Sequence, residues 1–244
     1  MKMKIEAAEI GYRDGDTHLT GLFFYDSAIT HTRPGVLVVH GGAGLDDHAK
    51  EQAVRLAKLG FVAFACDMYG NGVAGNRELV LSRINELRRD VTKLCQRARA
   101  GIEVLLSYPQ VGGRIAAVGY CFGGTTVLEL ARSGMDLAGV ISVHGSLNTS
   151  RLAQPGMVKA RILVCHGALD PHVPMIQVDE LVQEMNQAGA DWQLIVYGDA
   201  MHGFTHKHGP ALPGVAYHAP SDARSSIAIR NFLDELFAAG SLIR

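Results

Sequence analysis

Six consecutive residues, Gly119-Tyr120-Cys121-Phe122-Gly123-Gly124, set a thiol among small neighbours. A short apolar run, 115–119, precedes them, and a helical pattern over 122–133 follows. This is the G-x-S-x-G pattern of a nucleophile on a strand–turn–helix corner, with cysteine in place of serine. The spacing has a steric reason: the flanking positions must be small, or the strand and helix backbones collide. Such a corner lifts its central side chain out at the carboxyl end of a sheet, where α/β proteins bind ligands. The N-terminus of the following helix favours thiolate over thiol. The N–H of Phe122 is free to donate to a developing oxyanion. The plain alternative is a buried cysteine beside a packing turn, which the strand–turn–helix context argues against. No G-x-S-x-G occurs elsewhere, so no serine competes.

A nucleophile of this kind needs a base and an acid, which follow it in the chain in the order acid, then histidine. The run 162–166 reads as a strand and leads into Gly167-Ala168-Leu169-Asp170-Pro171. Pro171 discourages helix at Asp170 and leaves the carboxylate in a loop. The run 192–197 leads into Gly198-Asp199-Ala200-Met201-His202-Gly203-Phe204. Asp170 and His202 therefore emerge at the same sheet edge as Cys121. A neutral imidazole can take the thiol proton, and a carboxylate on its other nitrogen fixes the tautomer. Asp199 is the rival acid, but it lies too close to His202 in sequence. A second oxyanion donor is expected after the strand 36–39, where His40-Gly41-Gly42 follows; Gly42 is favoured, with Phe122 as its partner.

The elements that would position these groups can be read from periodicity. Residues 5–26 form a hairpin around Asp14-Gly15-Asp16. Runs at 36–39 and 61–66 suit buried strands, as in a parallel sheet, and those at 115–119, 138–143, 162–166 and 192–197 read as further strands. Between them lie helical patterns. The longest, 76–107, repeats Ile84, Leu87, Val91, Leu94, Ala98, Ile102 and Leu105, and a closing helix at 221–239 offers Ile227, Phe232, Leu233 and Leu236 to the core. Alternating strand and helix predicts an α/β fold with a mostly parallel central sheet, an N-terminal antiparallel hairpin and helices on both faces. One domain, 1–244, is expected, with the hairpin in 1–34 and a catalytic core over 35–240. The segment 145–161 is too short for a large cap domain, and 203–220 is the longest irregular stretch.

Composition narrows the function classes. Lys plus Arg is 23 against 24 Asp plus Glu, a net charge of −1, which gives no electrostatic case for nucleic acid or an anionic membrane surface. No window approaches 18 apolar residues, so no membrane span is expected. The N-terminus lacks the apolar stretch of a secretory signal, and a cytoplasmic setting is the default. Cys66, Cys95, Cys121 and Cys165 form no C-x-x-C pair and read as reduced thiols. His202, His206 and His208 have a spacing that could bind metal, but no carboxylate or cysteine completes the set, so no metal is expected. His40 is expected to bond loop backbone. Arg77 and Arg83 could reach an acidic substrate and read more simply as solvated charges. Composition leaves monomer and homodimer both open.

The sequence resembles the dienelactone hydrolase family. The resemblance spans roughly 35–237 and rests on the cysteine corner, Leu45-Asp46-Asp47-His48, Asp67-Met68-Tyr69, Gly167-Ala168-Leu169-Asp170 and His202-Gly203-Phe204. It implies the α/β-hydrolase fold and a Cys–His–Asp hydrolase of small esters or lactones, using neither metal nor organic cofactor. Gly41, Tyr69, Phe204 and His206 are the expected substrate contacts. Two departures stand out. Family members that cleave dienelactone carry a glutamate where this chain has Gly41, and an arginine where it has His206. A direct Cys121–His202 pair and a substrate other than dienelactone are therefore expected. Small-acyl thioesterase activity and a catalytically silent binding scaffold are the competing readings.

Overall fold

The structure is a computed structural model describing residues 3–238. Its strands are β1 (Ile5–Asp14), β2 (Thr17–Asp26), β3 (Gly35–Val39), β4 (Val62–Cys66), β5 (Ala116–Tyr120), β6 (Gly139–Val143), β7 (Arg161–Gly167) and β8 (Trp192–Tyr197). Its helices are α1 (Asp47–Lys58), α2 (Arg77–Arg89), α3 (Val91–Ser107), α4 (Phe122–Arg132), α5 (Met175–Ala188) and α6 (Ala219–Phe237). The strands form one sheet in the order β1-β2-β4-β3-β5-β6-β7-β8. β1 and β2 pair antiparallel through a two-residue turn, in register from Ile5↔Asp26 to Asp14↔Thr17. Gly15 takes a positive φ of 54° in that turn, which glycine adopts without steric cost. From β4 to β8 every pairing is parallel.

The parallel strands β3 to β7 are short apolar runs because both of their faces are covered, whereas β8, at the sheet edge, is only partly buried. β3 shows how: Val36 and Val38 pack into one core, Leu37 and Val39 into the other, and all four are fully buried. Burying each such side chain contributes about 1.5–3 kcal/mol. α3, α4 and α5 supply one core through residues such as Ala98, Ile102, Val127, Leu181 and Met185. α1 and α6 supply the other, through Ala53, Leu56, Ile229, Phe232 and Leu233.

Sheet order reverses direction at β3: β4 lies on one side of it and β5 on the other. The loops leaving β3 and β5 diverge there, and the gap between them is where an open parallel sheet binds ligands. Gly41 and Gly42 follow β3, and Cys121 follows β5. Between β6 and β7, residues 144–160 carry no helix or strand, so no cap grows from that crossover.

Two sequence expectations need correction. The long helical period over 76–107 is broken at Asp90 (φ −122°, ψ 88°), whose side chain accepts the N–H of Lys93 at 2.9 Å and starts α3. An aspartate that caps a helix competes with the helix running through it, although the apolar spacing continues undisturbed on both sides. In α6, Ile227 is 61 % exposed, whereas Ile229, Phe232 and Leu233 are buried. These three are related by i, i+3 and i+4, and a residue two positions before Ile229 points the opposite way. The same buried face is continued toward the N-terminus by polar Asp222 and Ser225, with Asp222 held by Arg55 at 2.8 Å. That polarity hides the stripe from a hydrophobic reading.

Candidate active site

Cys121 sits between β5 and α4 at φ 52° and ψ −113°. A non-glycine residue held there costs of order 1–3 kcal/mol, which the surroundings must offset. The glycines make the corner possible. A Cβ on Gly119 would lie 1.9 Å from the carbonyl oxygen of Gly123, and one on Gly123 would lie 2.1 Å from that of Val39. The N–H of Cys121 is tied to the Val143 carbonyl at 3.0 Å and to His144 Nδ1 at 3.1 Å.

Cys121, His202 and Asp170 converge from three loops. His202 Nε2 lies 3.0 Å from Cys121 Sγ, and His202 Nδ1 lies 2.8 Å from Asp170 Oδ2. Asp170 is fixed from behind: its Oδ1 accepts the N–H groups of His172 at 2.8 Å and Val173 at 3.1 Å. Its side chain is wholly buried and that of His202 is 14 % exposed. Asp199 is exposed, so the rival acid takes no part.

The electrostatics favour separated charge. Burial pushes the Cys121 thiol up, but hydrogen bonding and charge from His202, with the N–H groups of Phe122 and Gly42, outweigh it and bring the pKa below its ordinary value. Gly42 and Phe122 thus both donate toward the sulfur, from the β3 loop and the first turn of α4. Burial opposes a charged His202, yet its bonds to Asp170 and Cys121 raise it to about 10. Asp170 is held below its usual range by His202 and the two backbone donors, despite burial. The thiols of Cys95 and Cys165 are instead pushed up, to about 11 and about 12, chiefly by burial, and burial raises Cys66 as well.

The expected substrate contacts fare differently. Gly41 lies against the nucleophile; a Cβ there would be 3.7 Å from Cys121 Cβ. Tyr69 is buried, and its hydroxyl reaches the carbonyls of Gly41 and Gly42 at 3.4 and 3.3 Å, so it shapes the Gly42 loop from behind rather than facing substrate. Phe204 is fully buried and packs edge-on against His144, which makes it core. His206 donates through Nε2 to Asp46 Oδ2 at 2.9 Å, and its Nδ1 is buried, so neither ring nitrogen is open to a substrate. Neighbours far away in the chain decided these three placements, and sequence order could not reveal them. His40 does bond loop backbone, through Nδ1 to the Gly41 carbonyl at 2.7 Å, while Nε2 accepts from Met68 N–H at 3.1 Å. Arg83 pairs with Glu86 at 2.6 Å.

His206 joins neither His202 nor His208 in a ligand set. The nearest approach to one, among the described residues, is Asp46, His48 and His206, whose ligand atoms lie within 4.8 Å of one another. Existing bonds already use them: His206 holds Asp46, and His48 Nε2 meets Thr205 Oγ1 at 3.0 Å and Gln52 Nε2 at 3.2 Å.

Sequence reasoning missed His144. It has a positive φ of 41°, is buried, receives the Cys121 N–H and passes through Nε2 to Thr205 Oγ1 at 2.9 Å. A signal was present: Val39-His40-Gly41, Val143-His144-Gly145 and Cys165-His166-Gly167 each end a strand in His-Gly. Burial lowers the pKa of all three histidines and favours their neutral rings; of the three, His144 is the one bonded to Cys121. Also missed was α2. Ile84 comes within 3.7 Å of where a Gly42 Cβ would be, so this helix roofs the Gly42 loop.

Comparison with known proteins agrees with this architecture. The sequence profile of the dienelactone hydrolase family matches residues 22–237. A solved structure called m3DLH is 39 % identical, with a TM-score of 0.89 over 96 % of this chain and 99 % of that one. A dienelactone hydrolase-like promiscuous phosphotriesterase from metagenomic libraries is 38 % identical, with a TM-score of 0.91 over the same shares. A Yersinia pestis protein assigned as a carboxymethylenebutenolidase is 27 % identical over 203 residues, 77 % of this chain and 73 % of that one.

Proposed function

Since the chain belongs to the dienelactone hydrolase family and is an ester or lactone hydrolase, we propose that it works through Cys121, His202 and Asp170 as a catalytic triad with an acyl-enzyme intermediate. The observation that carries the reading is the 3.0 Å approach of Cys121 Sγ to His202 Nε2, continued at 2.8 Å from His202 Nδ1 to Asp170.

The resting pair is thiolate and imidazolium. The thiolate attacks the carbonyl carbon, and the oxyanion that forms accepts hydrogen bonds from the N–H groups of Gly42 and Phe122. Each such donor is worth roughly 3–4 kcal/mol in transition states of this type. As the tetrahedral species collapses, His202 gives its Nε2 proton to the leaving alkoxide, and the acyl group stays on sulfur as a thioester. The now neutral imidazole takes a proton from water, the hydroxide attacks the thioester, and the thiolate leaves as the acid product forms. Asp170 holds Nδ1–H throughout and stabilises the imidazolium. Gly41, standing where related lactonases have a glutamate, leaves His202 as the partner that ionises the sulfur. The phosphotriesterase activity named for the 38 % identical neighbour supports adding a phosphotriester to the assay, since the same thiolate can displace an aryloxide from phosphorus.

The test is turnover of p-nitrophenyl esters and small lactones, followed by intact mass after rapid acid quench. Wild-type protein acquires one acyl group, mapped to Cys121, and Cys121→Ala loses both adduct and turnover. Near-native turnover by Cys121→Ala would refute the triad.

A further inference from the structure

A cavity of about 450 Å³ opens beside the triad, lined in part by Arg88, Thr125, Glu129, Ser146, Asn148 and Gln177. Thr125 stands one helical turn beyond the nucleophile, its N–H bonding the Cys121 carbonyl at 3.2 Å. His172, also in the wall, packs edge-on against the His202 ring at 5.4 Å. The cavity is therefore one residue removed from the triad, walled by neighbours of Cys121 and His202.

Behind it lies a buried cluster of charge. Arg132 donates to Glu129 Oε1 at 2.9 Å, to both Glu184 oxygens at 2.9 and 2.8 Å, and to the Leu147 carbonyl at 2.7 Å. Glu184 Oε1 also accepts the Ala153 N–H at 2.8 Å. One guanidinium thus faces two carboxylates, all nearly solvent-free. Glu184 is fully used. Glu129, only 2 % exposed, keeps Oε2 buried without any hydrogen-bond partner among the described residues. Leaving a carboxylate oxygen unpaired in such a place is costly.

We infer that this cavity is a subsite for a hydroxyl-bearing part of the ester or lactone, with Glu129 Oε2 accepting a substrate hydroxyl. The chemistry of the wall selects the ligand class. An ammonium would meet the Arg88 guanidinium in the same cavity. A neutral hydroxyl can donate to Glu129 and accept from the arginine, amide and hydroxyl donors around it. A plain alkyl group would leave Oε2 unpaired, and sites built to bond a substrate hydroxyl discriminate by up to roughly 10⁴ against analogues that lack it.

The inference rests on the hydrolase reading above, and one pair of substrates separates the two. Hydrolysis of γ-butyrolactone and of D-galactono-γ-lactone is followed by pH-stat, with Glu129→Gln and Asn148→Ala beside wild type. Glutamine keeps the shape and the Oε1 acceptor for Arg132 but turns the free acceptor into a donor. The expected result is a wild-type kcat/KM at least about tenfold higher for the hydroxylated lactone, and a ratio reduced about tenfold in Glu129→Gln. Asn148 is exposed, so its replacement is not expected to unfold the protein, and it should lower the same ratio by a smaller factor. Activity on both lactones with no preference, or an equal loss on both in Glu129→Gln, would overturn the inference and leave the triad standing. Wild-type inactivity on both lactones, with p-nitrophenyl acetate still cleaved, would overturn the inference and leave the triad standing.

Discussion

Replacing Asp170 by asparagine should reverse the tautomer of His202. Asp170 Oδ1 accepts two backbone N–H groups, from His172 and Val173, while Oδ2 faces His202 Nδ1 at 2.8 Å. In Asp170→Asn the amide oxygen must keep the backbone donors, because an NH₂ pointed at two N–H groups is repelled by both. The NH₂ then faces His202 and makes Nδ1 an acceptor, so the proton moves to Nε2 and the ring can no longer take one from the thiol. The magnitude follows from the histidine. Its rise from 6.5 to about 10 is a preference for imidazolium of about 5 kcal/mol, at about 1.4 kcal/mol per tenfold. Burial works against that rise, and Asp170 and Cys121 share the credit for it. A half share for Asp170 is about 2–3 kcal/mol, or roughly 10²-fold in kcat/KM; the wrong tautomer extends the loss toward about 10⁴. The assay is p-nitrophenyl acetate hydrolysis, with the melting temperature measured in parallel. A folded Asp170→Asn protein that kept kcat/KM within about threefold of wild type would refute the reasoning.

Gly123→Ala should destabilise the fold by several kcal/mol, because its Cβ would sit 2.1 Å from the Val39 carbonyl oxygen and 2.7 Å from that of His40; a melting temperature lowered by about 10 °C or more checks this. The pH profile of kcat/KM should be a bell. Its acid limb appears where the thiolate is protonated, below the usual cysteine range, and its alkaline limb near pH 10, where His202 loses the proton it gives to the leaving group. The two apparent values belong to the coupled pair rather than to either residue.

The parallel strands and the cysteine corner were legible in the sequence because their causes are local: apolar runs of strand length, and glycines where any Cβ would strike backbone. The order of Cys121, Asp170 and His202 was legible because each lies in the segment that follows a strand. What escaped depends on distant neighbours. Asp46 lies 160 residues from His206, yet it removes that histidine from the substrate surface. Phe204 and Tyr69 look like pocket aromatics by position, but Phe204 closes the core and Tyr69 braces the Gly42 loop. The break at Asp90 was invisible because apolar spacing continues through it, and the buried Asp222 in α6 only becomes intelligible beside Arg55. Glu129 looks like an ordinary charge on a helix until Arg132 and Glu184 are seen to leave one of its oxygens alone.

The central claim, a thiolate poised against an imidazolium, is tested most directly by the pH dependence of iodoacetamide alkylation, resolved by cysteine. A lowered pKa keeps Cys121 ionised below the ordinary thiol range and returns it to thiol only as the pH falls further. Cys121 should therefore reach its limiting rate at a pH below the ordinary thiol range, while Cys66, Cys95 and Cys165 stay unmodified in the folded protein. A Cys121 rate that levels off only above about pH 8.5, as that of an unassisted thiol does, would contradict the account.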